Sequence, residues 1–395
     1  MTSLHLLVPR CLSHYRFHAA TCVLLGLAVF AHATQTQLVH IRSIDLSASF
    51  SSTSGYGDNP LSVTFDGTHA YVGGYKATSG SPATVGVVKV ENVLNAAPTL
   101  TPMSTTQFTS PNLRGIDALS YDAATSSLLV AHDSGAATTS FISRRNASDG
   151  SAVWSVSNPQ GARPFAMAMD PRGDNGSPGV GFLTQGSGRR RLLSLSTGAT
   201  IFDGTNGGII NTSPDSGTTW RTLAFDPNGN VAVVNQSAVG YGLRVTNNQW
   251  QTLGGTLNLV TRSELKNTAV NNVGQGVAIM PGLGSDLLAF SGRSATGLTD
   301  STGGTSTVSS TSVHVRNLDG TTAGLTQLEL NGDENGIGTP WTGDLKNLAY
   351  GTSGSGLPVL LVVDYVGRRL DVYVPEPATG LLLAACGLWA ARRRR

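Results

Sequence analysis

Six stretches of the chain repeat one pattern: an alternating apolar strand, a tight turn and a second apolar strand. They read LSVTFDGTHAYVGGY, IDALSYDAATSSLLVAHDSG, FAMAMDPRGDNGSPGVGFLTQGSG, RTLAFDPNGNVAVVNQSA, GVAIMPGLGSDLLAFSG and KNLAYGTSGSGLPVLLVVDY. Their turn positions, Asp66, Asp122, Asp170, Asp226, Pro281 and Gly351, are 56, 48, 56, 55 and 70 residues apart. A lone hairpin cannot bury its apolar faces, so a periodic series of them must stack on its own copies. Asp, Pro and Gly supply turn geometry, which makes the recurring aspartate a turn residue first.

Each period has room for four short strands. In the fourth unit the pattern predicts strands over Trp220–Phe225, Val231–Asn235, Gly242–Thr246 and Trp250–Leu253. Four-stranded units at this spacing predict an all-β fold, a six-bladed β-propeller around a central channel. A seventh blade within the long fifth repeat, a pair of β-sandwiches and a β-helix are the alternatives. In that repeat GLTDSTGGTSTVSSTS, residues 297 to 312, is poor in apolar residues and reads as a loop.

The ends of the array give a sharper expectation. The last unit supplies only Lys346–Tyr350, Val359–Asp364 and Arg369–Val374, and so lacks an outer strand. A spare strand, LVHIRSIDL from Leu38 to Leu46, precedes the first unit. Pairing it with Arg369–Val374 would close the ring and satisfy two bare sheet edges.

Both termini read as addresses. Arg10 and Arg16 precede an apolar run from Ala19 to Phe30, and Ala31-His32-Ala33 fits the small-x-small cleavage rule, so residues 1–33 read as a signal peptide. At the other end Pro375-Glu376-Pro377 precedes an apolar run from Ala378 to Ala391, then Arg392, Arg393, Arg394 and Arg395. Fourteen helical residues span about 21 Å against roughly 30 Å of bilayer hydrocarbon, which suits temporary insertion better than a permanent anchor. The arginines should stay cytoplasmic and the body outside. Two prolines make the triplet an extended hinge.

That order of triplet, apolar helix and arginine cluster over residues 375–395 resembles the PEP-CTERM sorting signal recognised by exosortases of Gram-negative bacteria. The resemblance implies removal of the tail by an exosortase-type enzyme and delivery to the envelope, cell surface or extracellular matrix. It is common in bacteria that make exopolysaccharide and biofilm. The domain between the two signals is then 34–374.

Without its ends the body carries twenty lysines and arginines against twenty-three carboxylates, a formal charge of −3. That balance excludes a nucleic-acid partner. Cys11, Cys22 and Cys386 all lie in the removable ends, so the body forms no disulfide and holds by packing and hydrogen bonds.

Chemistry is sparse. There is no His-Glu-x-x-His, Gly-x-Ser-x-Gly, P-loop or Cys-x-x-Cys. His132-Asp133-Ser134 lists triad residue types, but neighbours on a strand point to opposite faces. Loops preceding each inner strand place Asp58, Asn59, Arg114, Arg163, Trp220, Gln275, Trp341 and Asp344 at one channel mouth, with His132, Asp133, Gln185, Asn235, Arg293 and Asp364 nearby. Of these, Arg114, Arg163, Trp220, Trp341 and Asp344 are the candidate binding residues, suited to stacking on a sugar or peptide. No catalytic residue is assigned.

Two loops, Asp170/Asp174/Asn175 and Asn331/Asp333/Glu334/Asn335, offer oxygen ligands for calcium. Arg189-Arg190-Arg191 reads as a solvated hairpin. The composite expectation is a non-enzymatic exported propeller that binds carbohydrate, such as exopolysaccharide, or an envelope protein. An extracellular hydrolase or lyase, with calcium at the channel mouth, is the alternative, and a matrix component without a specific ligand is the third.

Overall fold

The computed structural model describes residues 38–76, 83–110, 114–157, 163–174, 177–184, 187–202, 220–235, 243–246, 256–260, 276–281, 287–291, 295–299, 305–308, 311–317, 329–333, 336, 338–342 and 345–375. Both predicted signals lie outside these residues except Pro375. Among the described residues no helix is long and apolar enough to cross a membrane.

The strands follow the repeat. The first blade holds β2 (Asn59–Phe65), β3 (Ala70–Tyr75), β4 (Ala83–Glu91) and β5 (Thr99–Ser110), once β1 (Leu38–Asp45) has passed. Blade 2 holds β6 (Gly115–Asp122), β7 (Ser127–Asp133), β8 (Phe141–Asn146) and β9 (Ala152–Ser157). Blade 3 is β10 (Pro164–Asp174), β11 (Ser177–Thr184), β12 (Ser187–Ser194) and β13 (Thr200–Phe202). Blade 4 is β14 (Trp220–Phe225), β15 (Val231–Asn235), β16 (Leu243–Thr246) and β17 (Thr256–Val260). In the fifth repeat β18 (Gly276–Met280) and β19 (Leu287–Ser291) are followed by β20 (Ala295–Thr299) and β21 (Thr305–Val308), then β22 (Val313–Asn317) and β23 (Glu329–Leu330). Last come β24 (Leu345–Thr352), β25 (Pro358–Asp364) and β26 (Arg369–Pro375).

All described pairings are antiparallel, and the inner strands form a ring. Strand β2 touches β6, then contacts run β6 to β10, β10 to β14, β14 to β18, β18 to β24, and β24 back to β2. The fold is a six-bladed β-propeller. A single bridge, Tyr75 to Gly115, joins blades 1 and 2 into one continuous sheet.

Closure happens where the bare edges predict it. Strand β1 pairs with β26 from Leu38↔Pro375 to Asp45↔Arg369, giving blade 6 the order β1-β26-β25-β24. Three boundaries differ from expectation. Pro375 closes β26, so the propeller runs one residue into the predicted sorting segment. The outer strand of blade 4 is β17, six residues beyond the expected start, while 250–253 lies outside the described residues. The long fifth repeat holds no seventh blade among its described residues; β20 and β21 pair with each other as a separate hairpin that begins two residues before the stretch read as a loop and overlaps it, and blade 5 is completed by β22 and β23.

Neighbouring blades cover both faces of each sheet, so its middle strands are apolar on both sides. All seven residues of β7 and all five of β19 are buried. Separate apolar clusters fill the gaps between blades: Val63, Val72, Leu361 and Val372 between blades 6 and 1, Ile116, Val87 and Val130 between 1 and 2, Leu129, Met167 and Phe182 between 2 and 3. The turn aspartates act as predicted. Asp66 Oδ1 accepts the Thr68 and His69 N–H groups at 2.8 and 2.6 Å, and Asp226 Oδ1 accepts that of Asn230 at 2.7 Å.

Candidate functional site: the upper mouth of the channel

The ladders place the start of each inner strand beside the end of the second strand of its blade. The partners are Asn59↔Tyr75, Gly115↔Asp133, Pro164↔Thr184, Trp220↔Asn235, Gly276↔Ser291 and Leu345↔Asp364. These six pairs define one face, the upper mouth. Below it the inner strands line an axial cavity of about 230 Å³, with Thr64, Ser120, Thr222 and Asn347 among apolar walls.

Several mouth residues predicted to meet a ligand are committed to the structure. The Arg163 guanidinium forms a two-point ion pair with the Asp133 carboxylate across blades 2 and 3, Nε to Oδ1 being 2.7 Å, and lies 4.6 Å from the Phe165 ring centre. Both members of the pair are buried. Trp341 is 2% exposed, packed in the core between blades 5 and 6, and its indole N–H donates to Asp371 at 2.5 Å. The structure therefore removes Trp341 from the surface expected to stack on a ligand. Trp220 begins β14 as predicted, and its backbone pairs with Asn235. Asp344, Gln275, Gln185 and Arg293 lie outside the described residues, as do Ala31, Ala33, Glu376, Pro377 and Arg392 to Arg395.

Arg114 stays half-buried at the mouth. Its N–H donates to the Asp133 carbonyl at 2.8 Å and its carbonyl accepts the Lys76 N–H at 2.6 Å. Around it lies a group of which sequence reading found Asp58 and Asn59 and missed Lys76, Arg368, Tyr75 and Tyr365. Lys76 and Asp58 form an ion pair at 3.7 Å, and Arg368 Nε donates to Asn59 Oδ1 at 3.0 Å. Tyr75 and Tyr365 meet edge to face with ring centres 6.0 Å apart at an angle of 61°. Gly115 makes room for the first of them, since a Cβ there would stand 2.7 Å from Tyr75 Cδ2. The missed signal was positional, because Tyr75 and Tyr365 both end or follow the second strand of a blade.

Triad residue types occur twice without forming a triad. His132 lies in an aromatic pocket, stacked on Phe141 at 4.0 Å and edge-on to Phe108 at 5.5 Å, while Asp133 holds Arg163 and Ser134 contacts Thr139 and Ser140. Burial, reinforced by the Arg145 charge, lowers the His132 pKa to about 3; a Thr106 backbone contact opposes this without reaching hydrogen-bond geometry. The second set closes the ring. Ser43 Oγ donates straight to Asp371 Oδ1 at 2.5 Å, and one imidazole nitrogen, His40 Nε2, lies 3.3 Å from both. A working triad needs the imidazole between serine and carboxylate, one nitrogen for each. Here Asp371 instead gathers Ser43 of β1, Trp341 and Arg369, the last at 3.2 Å, into a buried clasp.

The candidate calcium loops are partly visible. Asp170 Oδ1 accepts the N–H groups of Arg172 and Gly173 at 3.0 and 2.9 Å, and Asn331 Oδ1 accepts that of Asp333 at 2.9 Å. The Asp174, Asn175, Glu334 and Asn335 side chains lie outside the described residues. Among described residues no group of three or more His, Cys, Asp or Glu is arranged to hold a metal ion. The triple arginine lies within β12, not in the expected hairpin turn.

The sequence matches no known family and no curated protein. The fold is similar to solved structures at low identity. An auxiliary nutrient binding protein from Bacteroides thetaiotaomicron is 10% identical, with TM-score 0.50 over 87% of this chain and 78% of that one. The Cps50 (Swd1) β-propeller domain of Myceliophteria thermophila is 9% identical, with TM-score 0.45 over 80% and 96%. Regucalcin from Agrobacterium tumefaciens, a calcium-binding protein, is 12% identical, with TM-score 0.43 over 80% and 91%. At these identities the likeness concerns architecture alone.

Proposed function

We propose that this chain is an exported, non-enzymatic propeller that binds carbohydrate or protein of the cell envelope or extracellular matrix through its upper mouth. In this reading residues 1–33 direct export, and an exosortase-type enzyme removes the tail that begins at Pro-Glu-Pro. The observation that carries the binding role is the closed ring, which brings six loop junctions, with charged and aromatic side chains, to one rigid face. The last strand ends at Pro375, so the sheet stops where the predicted processing triplet begins. The fold likeness to an auxiliary nutrient binding protein agrees with a binding role.

The test uses protein recovered from its producing cells, with and without the processing enzyme. Intact mass should show a chain starting near Thr34 and ending close to Pro375 only when the enzyme is present. The same protein should be retained on the cells' own exopolysaccharide or envelope fraction. An unprocessed carboxyl terminus in both strains refutes the sorting half, and passage through every matrix fraction refutes the binding half.

A further inference from the structure

We propose that the seam where blades 6, 1 and 2 meet at the upper mouth is a subsite for a carboxylated saccharide such as a uronate. This rests on the binding role above and adds the ligand's chemistry. Tyr75, at the end of β3, and Tyr365, just after β25, are both half-buried there and packed edge to face. Such rings offer apolar surface to the C–H groups of a sugar while their hydroxyls stay polar. The β3 register couples them to the charges beside them: Asn59 is the ladder partner of Tyr75, and the Asp58 N–H donates to the Tyr75 carbonyl at 2.8 Å.

The charge balance names the ligand. Lys76, Arg114 and Arg368 share this seam with Asp58, which the Lys76 ammonium faces at 3.7 Å, while the Asp133 and Asp364 carboxylates at the same mouth are held by Arg163 and Arg369. Arg368 is held by the neutral Asn59 amide, and the Arg114 guanidinium forms no hydrogen bond or ion pair with another described residue. Among the described residues neither the Arg114 nor the Arg368 guanidinium has a carboxylate partner, on a body whose net charge is −3, so the excess is local. Guanidinium forks match carboxylate geometry.

Both arginines are anchored through the main chain, Arg114 between Asp133 and Lys76, and Arg368 by accepting the Leu46 N–H at 2.8 Å. Arg368 also keeps a left-handed backbone, φ 50°, a conformation costly for a residue with a side chain. A long cation held there at that cost points to use of the side chain.

The test measures full-chain protein on polygalacturonate, with dextran as a neutral sugar polymer and polyglutamate as an anion without sugar rings. Polygalacturonate should bind about tenfold more tightly than either control and weaken with salt. Arg114→Ala with Arg368→Asn, which tolerates the left-handed backbone, and separately Tyr365→Ser, should each lose about tenfold while keeping the thermal midpoint. Arg114→Gln alone, expected to lose several-fold, serves if the double variant is unstable. Equal binding to polyglutamate, or unchanged binding by the folded variants, overturns the subsite. Retention of the variants on the cells' own matrix would overturn this subsite alone, whereas wild-type protein that binds no matrix fraction overturns the binding role itself.

Discussion

His132 makes the propeller sensitive to acid in a way that can be measured apart from any ligand. It is fully buried against Phe141 and Phe108, neither ring nitrogen has a hydrogen-bond partner among the described residues, and burial lowers its pKa from 6.5 to about 3. Above pH 6.5 the residue is neutral in both folded and unfolded chains and adds no pH dependence. Below 6.5 the unfolded chain takes a proton that the folded one refuses, so stability falls by about 1.4 kcal/mol per pH unit until the pH nears 3. At pH 4.5 the loss from this one residue is about 2–3 kcal/mol. His132→Phe removes the titration and keeps the stacking shape. Urea unfolding of both proteins at pH 7.0 and 4.5 isolates the effect, because all other titrating groups cancel in the double difference. The variant should lose about 2–3 kcal/mol less than wild type between the two pH values. Equal losses would show that His132 is hydrated or paired in solution and would refute the reasoning.

Three other perturbations test the scaffold. Asp371→Ala strands the buried Trp341 N–H, removes the short hydrogen bond from Ser43 and leaves Arg369 with Asp364 as its one carboxylate in the clasp, and should cost about 3–5 kcal/mol in urea unfolding, with β1 becoming the first segment cut by limited proteolysis. Asp133→Ala leaves Arg163 buried without its carboxylate and should cost a similar amount, roughly 3–5 kcal/mol, whereas Asp133→Leu with Arg163→Met should recover most of it in the same assay. At Gly74 a Cβ would stand 1.6 Å from the Tyr56 carbonyl oxygen, so Gly74→Ala should lower the thermal midpoint by several degrees or prevent folding, as scanning calorimetry would show.

The fold was legible because its rules are local and repeated. Strand alternation, the aspartate turns and their spacing each recur, so one misread unit is corrected by the others; the single unmatched edge at each end then required β1 to meet β26. What stayed illegible broke the period. In the fifth repeat a threonine- and serine-rich stretch carries no apolar alternation, yet β20 and β21 pair there, because threonine favours extended backbone without supplying an apolar period. The shift of the blade 4 outer strand has the same origin, since an outer strand touches fewer neighbours and its sequence is less constrained.

The site was legible as a place and not as a set of side chains. Ladder geometry fixes which residues reach the upper mouth, but whether they remain available depends on contacts between blades that no local pattern records. Arg163 and Asp133 lie 30 residues apart and neutralise each other across a blade boundary, and Trp341 is drawn inward by Asp371, also 30 residues away. The same contacts decide what is left over. Arg114, Arg368, Tyr75 and Tyr365 come together where the last blade meets the first two, an adjacency that exists only once β1 has closed the ring. If the proposed subsite binds there, closure and recognition are coupled: a variant that loosens the clasp at Asp371 should weaken binding at the Arg114–Arg368 seam in proportion to the fraction of open rings, with no change in the affinity of those still closed.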